Sequence, residues 1–391
     1  MKLATLTLLG IICTCLTSCS VGKSEDGDLP VLDLSKEYPK EKLDIREIAD
    51  VEYIPLETTD ESVLGMGLVS MSDEYIIINY FGNIFFFDRK TGKFLWKFNR
   101  KGGSGEEYST GIILIVDFLS EECYVYDCVR NKILVYTYHG DFKRSFPIKK
   151  EGLLLIPTYN YNKDYLVGYN KFTSRSDFKL LDPHPYYLIS KRDGKISPLP
   201  IDVENSINTK LERKFVKGGT YSISLSEMIN LLKAGDETFI GDFALDTLYI
   251  SKEHKLTPVA VQKPEVFSSD VPLVVSADLF TDSYMGFYVV KMRYVPEDPY
   301  KPLNEAPYLY WNRKTGEIHR YELYDSNILT EKILRPLMFH TQLDKNQAIF
   351  RFKAEFLVEQ YEAGKLRGEL KEIASKLNIE DNHVLVLCKF K

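Results

Sequence analysis

Long hydrophobic runs, basic clusters and metal-binding motifs are all scarce in this 391-residue sequence. No segment beyond the N-terminal one approaches the roughly 20 apolar residues that a transmembrane helix requires. Lys and Arg do not cluster as they do in proteins that bind nucleic-acid backbones, and the formal charge is −6. The six histidines show no His-Glu-x-x-His or close His-x-His spacing. These absences argue against nucleic acid as a partner, and they predict neither a metal site nor a cofactor.

Cysteine is also scarce, with six residues in the whole chain. Two of them precede Cys19 in the apolar N-terminal segment, and three follow it at Cys123, Cys128 and Cys388. Cys123 and Cys128 are five positions apart on one predicted strand, so their side chains should point to opposite faces and bridge poorly. We therefore expect packed thiols and no disulfide framework.

The N-terminus has the organisation of a lipoprotein signal peptide. Lys2 precedes an apolar run over residues 3–16, which is too short to span a bilayer and is soon followed by polar residues. Leu16-Thr17-Ser18-Cys19 resembles the bacterial lipobox, in which cleavage occurs before a lipidated cysteine. We predict a signal peptide over residues 1–18 and lipid attachment at Cys19. The alternative is ordinary secretory cleavage in which this cysteine takes no part.

Residues 19–44 are polar and are predicted to form a flexible tether. The acidic patch Glu25, Asp26 and Asp28 resembles the surface-export signals of some outer-membrane lipoproteins, and a solvated linker is the alternative. The predicted location is therefore the cell envelope, as an outer-membrane lipoprotein on either its periplasmic or its surface-exposed side.

A recurring hairpin dominates the sequence beyond the tether. Short runs rich in Tyr, Phe, Ile, Val and Leu alternate with turn residues, which is typical of many strands and few helices. Four hairpins have glycine in the turn, where a positive φ is needed, and a weaker copy has His254 instead. The spacings of 48, 54, 60 and 62 residues approach the length of a four-stranded propeller blade. The turn positions are 92, 140, 194, 254 and 316.

Five hairpins leave room for a sixth blade, which we expect to combine strands from both chain ends. The predicted strands cover residues 51–56, 347–353 and 384–390, and closure of this kind removes exposed sheet edges. Two helices are also predicted, a short one over residues 224–233 and a longer one over residues 354–377. The longer helix carries an apolar stripe and should pack on the propeller as an insertion in the last blade, and a helix that lies on a membrane or binds a partner is the alternative.

Three segments resemble the bacterial six-bladed β-propeller lipoproteins related to NHL-repeat propellers. They are Asp50-Val51-Glu52-Tyr53-Ile54-Pro55-Leu56-Glu57-Thr58, then Phe87-Asp88-Arg89-Lys90-Thr91-Gly92-Lys93 with the following Arg100-Lys101-Gly102-Gly103-Ser104-Gly105-Glu106-Glu107-Tyr108, and Tyr361-Glu362-Ala363-Gly364-Lys365-Leu366. The resemblance implies an all-β fold, with a six-bladed propeller over residues 45–391. It also implies an exported lipoprotein of the kind found in gut-type bacteria that exploit glycans, without an assigned activity.

Candidate site residues are single positions rather than a motif, because propeller sites are assembled from distant loops. Gly102-Gly103-Ser104-Gly105 lacks the Gly-Lys-Ser/Thr ending of a phosphate loop, so an inter-blade loop is expected there. No catalytic residue is predicted. The candidate ligand-binding residues are Arg100, Glu106, Tyr108, His184 and His340.

The leading hypothesis for function is a non-enzymatic binding or scaffold module, held at the membrane by its lipid. Its partner would be a glycan, a peptide or a protein engaged at one face of the ring. The alternative is a glycan-active hydrolase or lyase whose carboxylates and histidines converge in the propeller channel. A third hypothesis is an envelope assembly factor that only holds other proteins. The lack of a catalytic motif favours the first.

Overall fold

Short antiparallel sheets follow one another along the chain and close into a six-bladed β-propeller. The predicted signal peptide and Cys19 lie outside the residues that the computed structural model describes. The described residues are 29–65, 67–150, 153–170, 182–204, 210–214, 220–224, 230–269, 272–291, 308–330, 334, 340–342 and 345–391.

The N-terminal elements precede the first blade and find their partners much later in the chain. They are β1 (Val31–Asp33), β2 (Lys40–Asp44), α1 (Ile45–Ile48) and β3 (Ala49–Pro55).

Blades 1–3 each contain four antiparallel strands that run in chain order from the centre outward, and one further strand from the end of the chain joins the inner edge of blade 1. Their middle strands are almost wholly buried, which agrees with the apolar runs in the sequence. Blade 1 contains β4 (Leu68–Met71), β5 (Tyr75–Tyr80), β6 (Asn83–Asp88) and β7 (Phe94–Phe98). Blade 2 contains β8 (Ile112–Asp117), β9 (Glu122–Asp127), β10 (Lys132–Thr137) and β11 (Phe142–Pro147). Blade 3 contains β12 (Leu155–Asn160), β13 (Tyr165–Asn170), β14 (Tyr186–Ser190) and β15 (Ile196–Pro198).

Blades 4 and 5 repeat this plan after a separate hairpin of β16 (Lys210–Lys214) and β17 (Thr220–Ser224). Blade 4 contains β18 (Leu231–Ala234), β19 (Glu237–Ile240), β20 (Thr247–Lys252) and β21 (Lys255–Lys263), and a 3₁₀ turn follows at Val266–Ser268. Blade 5 contains β22 (Leu273–Phe280), β23 (Tyr284–Lys291), β24 (Tyr308–Asn312) and β25 (Ile318–Tyr324). The last elements are β26 (His340–Gln342), β27 (Gln347–Phe352), α2 (Ala354–Glu362), α3 (Gly368–Ala374) and β28 (Val384–Phe390).

The sixth blade closes the ring with strands from both chain ends, as the sequence predicts. β28 lies between β27 and β3, and it pairs with β3 over seven residues, from Val384 opposite Pro55 to Phe390 opposite Ala49. A buried polar cluster reinforces this seam, because the Tyr53 hydroxyl donates to the carboxylate of Asp325, which follows blade 5.

The tether prediction is wrong for its second half. β1 pairs in parallel with β21, and β2 pairs in parallel with β25, so residues 31–44 add a fifth strand to the outer edges of blades 4 and 5. The propeller therefore begins near residue 31 rather than at residue 45. Pairing of this kind uses backbone groups, so polar and largely exposed residues such as Lys40 and Glu41 can form it.

The two predicted helices have different outcomes. The predicted helix 224–233 lies partly outside the described residues, at 225–229, and its last three residues belong to β18, the innermost strand of blade 4, which pairs with β19. The C-terminal helical insertion is confirmed, but it consists of α2 and α3 rather than one helix. Gly364, with φ +69°, follows the first of these helices and allows the chain to leave it.

Turn glycines in the outer hairpins have two roles. Gly92 has φ +69°, which a residue without Cβ adopts at little cost, and an added Cβ would lie 2.1 Å from the carbonyl oxygen of Pro55 in blade 6. The turns of blades 2 and 3 also pack on the preceding blade, with Gly140 against Phe98 and Gly194 against Pro147. Blade 4 lacks the glycine, and Glu253 and His254 adopt positive φ values of 48° and 66° instead.

The remaining thiols are free, with Cys123 and Cys388 buried and Cys128 partly buried. Among the described residues, none of the helices combines the length and the apolar character needed to cross a membrane.

We predict that Gly92→Ala destabilises the propeller by about 2–4 kcal/mol, because the new Cβ must overlap the Pro55 carbonyl at a left-handed φ. Gly103→Ala is the matched control, since nothing lies within 4 Å of its added Cβ. It should change stability by less than about 0.5 kcal/mol. Urea unfolding of both variants provides the measurement, and equal midpoints would contradict the proposed packing role.

Candidate functional site

The centre of the ring contains a short strand of the chain itself. β26 pairs in parallel with the innermost strand of blade 1, with His340 opposite Val69. It also lies close to the innermost strands of blades 2, 3 and 4, which places its backbone inside the ring. The predicted channel site therefore competes for space with the chain's own backbone.

A large open pocket lies between blades 2 and 3, with a volume of about 760 Å³. Its walls come from three connections at one end of the sheets, which are the turn between β8 and β9, the turn between β12 and β13 and the residues after β14, and from strands β9 and β11 of blade 2. We call it the blade 2–3 pocket. Its lining residues are Asp117, Leu119, Ser120, Glu122, Tyr124, Arg144, Lys163, Asp164, Tyr165, Ser190, Lys191 and Arg192.

A buried ion pair joins the two blades beside this pocket. The Nζ of Lys191 donates to Oδ2 of Asp117 at 2.6 Å, and the two side chains are only 5% and 3% exposed. Burial opposes ionisation of Asp117, but the hydrogen bond and charge of Lys191 outweigh it, so the pKa of Asp117 lies below its usual range. The Lys191 ammonium also lies over the Tyr124 ring, 5.3 Å from its centroid.

The second buried carboxylate, Glu122, is surrounded by donors. Arg144 donates to both of its oxygens, at 2.9 and 3.0 Å, and Lys143 lies 2.5 Å away. The Tyr124 hydroxyl donates to it at 2.7 Å. Burial alone would raise the pKa of Glu122, but these donors lower it to about 2. Glu122 is therefore fully ionised at physiological pH.

The charged groups at the rim of the pocket are mainly cations. Arg192 is 90% exposed and its nearest carboxylate, Asp193, is 3.8 Å away. Lys163 is exposed, and no ion pair of its side chain is found among the described residues. Asp164 is the one exposed carboxylate of the described lining.

Lys233, on the innermost strand of blade 4, is a buried cation outside the pocket lining. It is 3% exposed, and its Nζ donates to the backbone carbonyl oxygen of Tyr161 at 3.2 Å. The same Nζ also lies over the aromatic ring of Tyr161. Burial lowers the pKa of Lys233 to about 8, which the charges of Asp236 and Glu237 offset only in part. No local sequence pattern distinguishes this lysine.

Three of the predicted site residues belong to the loop between blades 1 and 2. Tyr108 is fully buried, and its hydroxyl donates to Gly82 O and accepts from the backbone N–H of Arg100, both at 2.8 Å. The Nε of Arg100 donates to Gly140 O at 2.7 Å. Glu106 is exposed, and its carbonyl oxygen accepts from the Tyr136 hydroxyl at 2.7 Å. The contacts of Arg100 and Tyr108 hold the two blades together.

The glycine-rich part of this loop wraps around cations of blade 2. Arg130 donates to the carbonyl oxygens of Gly102 and Glu107 at 2.9 and 2.7 Å, and Lys132 donates to that of Gly105 at 2.9 Å. The loop thus presents carbonyl oxygens to these cations, whereas a phosphate loop presents N–H groups to an anion. This geometry agrees with the predicted inter-blade loop.

The two predicted histidines lie elsewhere. His184 is partly exposed in the connection between the second and third strands of blade 3, and its Nδ1 lies 2.6 Å from Asp202. His340 begins β26 at the centre of the ring. The five candidates therefore occupy three separate parts of the fold, and the four whose side chains are described do not line the blade 2–3 pocket. Within the described part of the chain, no group of three or more His, Cys, Asp or Glu side chains could hold a metal ion.

Comparison with known proteins places the chain in a family. The family model described as "Domain of unknown function (DUF4934)" matches residues 29–389. The chain belongs to the DUF4934 family. No curated protein matches the sequence.

Several solved structures are similar to this DUF4934 chain. A Bacteroides fragilis NCTC 9343 protein described provisionally as exported is 14% identical, with a TM-score of 0.61, over 92% of this chain and 99% of its own. A DUF4221 family member from Bacteroides vulgatus ATCC 8482 is 9% identical, with a TM-score of 0.47, over 88% and 97%. Virginiamycin B lyase from Staphylococcus aureus is 11% identical, with a TM-score of 0.37, over 87% and 99%. At 14% identity, the similarity to the Bacteroides fragilis structure shows the fold alone.

The pocket of this DUF4934 chain was missed by sequence reasoning because its residues come from turns far apart in the chain. Asp117 and Lys191 are 74 positions apart. One signal was available, since each is a charged residue at or just beyond the end of an apolar strand.

We predict that Lys233→Met stabilises this DUF4934 protein by about 2–3 kcal/mol at pH 7, because it removes a desolvated charge. Below pH 8 the lysine is protonated in both the folded and the unfolded state, so the gain is constant. Between pH 8 and about 10.5 the folded state releases its proton first, the wild type becomes relatively more stable, and the gain shrinks. Denaturant titrations across this pH range measure the difference, with the exposed Lys371→Met as control. A gain that is absent at pH 7 or independent of pH would contradict the burial argument.

Proposed function

We propose that this protein is an exported, lipid-anchored binding module whose ligand occupies the blade 2–3 pocket. The single observation that carries the proposal is the pocket itself. Its volume of about 760 Å³ lies within the 300–1,000 Å³ range of small-molecule sites. Several charged and hydroxyl groups from two blades converge on it, as expected where a ligand is oriented by polar contacts.

The ionisation of its buried carboxylates favours binding over acid catalysis. A glycosidase requires one carboxylic acid that remains protonated near neutral pH, and therefore a raised pKa. Asp117 and Glu122 both have lowered pKa values because cations contact them directly. These two groups are suited to fixing the positions of Lys191 and Arg144, which can then contact a ligand.

Export and anchoring are proposed from the N-terminal sequence. Leu16-Thr17-Ser18-Cys19 has the order of small residues and cysteine that lipoprotein processing requires. A structurally similar Bacteroides fragilis protein is also described provisionally as exported. A lipid on Cys19 would hold the module at the outer membrane, ahead of the strand that begins at Val31.

We expect Ser120→Trp to abolish ligand binding without unfolding the protein, because Ser120 is exposed and lines the pocket, so an indole there fills the space. The wild type and this variant would be screened against glycan and peptide panels by thermal shift and calorimetry. Ser375→Trp, on the helical insertion of blade 6, is the matched control and should bind as the wild type does. If every ligand that binds the wild type also binds Ser120→Trp equally well, the pocket is not the site.

We expect Cys19→Ser to eliminate incorporation of labelled palmitate in the bacterial host and to release the protein from membranes, because its thiol is the acceptor of the lipid. Cys15→Ser, within the predicted signal peptide, should be labelled normally. Unchanged labelling of Cys19→Ser would contradict the proposed anchor and leave ordinary secretory processing.

A further inference from the structure

The cationic side chains of the blade 2–3 pocket are more exposed to solvent than most of its carboxylates. The side chains of Asp117 and Glu122 are only 3% and 6% exposed, and cations already contact both of them. By contrast, Arg144 is 36% exposed and Arg192 is 90% exposed. A ligand that enters from solvent therefore contacts mainly guanidinium and ammonium groups, although the chain as a whole carries a net charge of −6.

The cluster at Glu122 also has an excess of positive charge. One carboxylate is contacted by both Lys143 and Arg144, so one positive charge is not neutralised within the cluster. The pair of Asp117 and Lys191 is neutral in total. At the rim, Lys163 and Arg192 are exposed, and Asp164 is the single exposed carboxylate of the described lining. The local field therefore favours an anion.

The other lining groups are those of a site for a hydroxyl-rich molecule. Ser120 and Ser190 supply hydroxyls, and the rings of Tyr124 and Tyr165 form part of the wall. Leu119 is the one aliphatic residue in the described lining, so apolar peptide side chains would find little to pack against.

From these observations we infer that the blade 2–3 pocket binds an acidic saccharide, one that carries carboxylate or sulfate groups, through Lys163, Arg192 and Arg144. This inference rests on the proposed function and adds the chemical class of the ligand. The anionic groups pair with the exposed cations at the rim, and the sugar hydroxyls bond to the serine hydroxyls and to the exposed carboxylate of Asp164. Binding weakens as salt is added, because these cations lie in solvent.

The test uses the mature full-length protein and isothermal titration calorimetry. The probes are trigalacturonate, a sulfated chondroitin disaccharide, neutral maltotriose and triglutamate. The two saccharide anions distinguish carboxylate from sulfate, and triglutamate represents an acidic peptide. The double variant Lys163→Gln/Arg192→Gln removes two exposed cations. Lys371→Gln/Lys376→Gln, on and just after α3, removes the same charge elsewhere and is the matched control.

The expected result is that at least one acidic saccharide binds, that the pocket double variant binds it about tenfold more weakly, and that the control variant does not differ from the wild type. If maltotriose binds as well as the acids and the double variant has no effect, the inference is overturned. The proposed function survives in that case, provided that Ser120→Trp abolishes binding of maltotriose.

If triglutamate binds as tightly as the acidic saccharides or more tightly, the ligand is not specifically a saccharide and the inference is overturned. If no saccharide binds, the inference fails, and the broader ligand panel with Ser120→Trp decides the proposed function separately.

Discussion

The seven-residue pairing of β3 with β28 is the contact on which the rest of the structure depends. It joins the two ends of the chain within one blade, so the ring has no free edge at the point of closure. Because β3 is committed to blade 6, the residues before it can only run along the outside of the neighbouring blades. They do so as β2 on blade 5 and β1 on blade 4, and Arg46 and Tyr53 contact the buried Asp325 along the way. The outer position of the N-terminal segment is thus a consequence of closure.

Much of the fold could be predicted from the sequence, because the outer hairpin of a blade has a recognisable local sequence pattern. An outer hairpin needs two apolar runs and a residue with positive φ, and four of five turns use glycine for it. Gly92 and Gly194 are constrained twice, by their positive φ and by their close contact with the preceding blade. These two glycines therefore marked the outer hairpins correctly. The fifth turn shows the limit of the rule, since Glu253 and His254 reach positive φ without glycine.

The errors in prediction share one cause, which is that strand pairing outweighed the local pattern. The predicted helix 224–233 overlaps residues 231–234, but their pairing with β19 makes them the innermost strand of blade 4. Residues 31–44 are polar and therefore suggested a tether, yet a parallel edge strand requires only backbone N–H and C=O groups. Neither interaction leaves a mark in the sequence near the residues involved. The ion pair beside the pocket likewise joins residues that are far apart in the chain, since Asp117 belongs to blade 2 and Lys191 to blade 3.

The energetics of the buried ion pair support the proposal that the pocket binds a ligand. Replacing a buried ion pair by apolar residues of similar volume is often neutral or stabilising, so folding alone does not require Asp117 and Lys191. Their arrangement has a further consequence, because each buried carboxylate fixes a cation beside the cavity while remaining shielded from solvent itself. A surface evolved only for solubility would expose both signs of charge. This pocket buries two of its three acids and exposes most of its bases, which is the arrangement expected if an anion is to bind between blades 2 and 3.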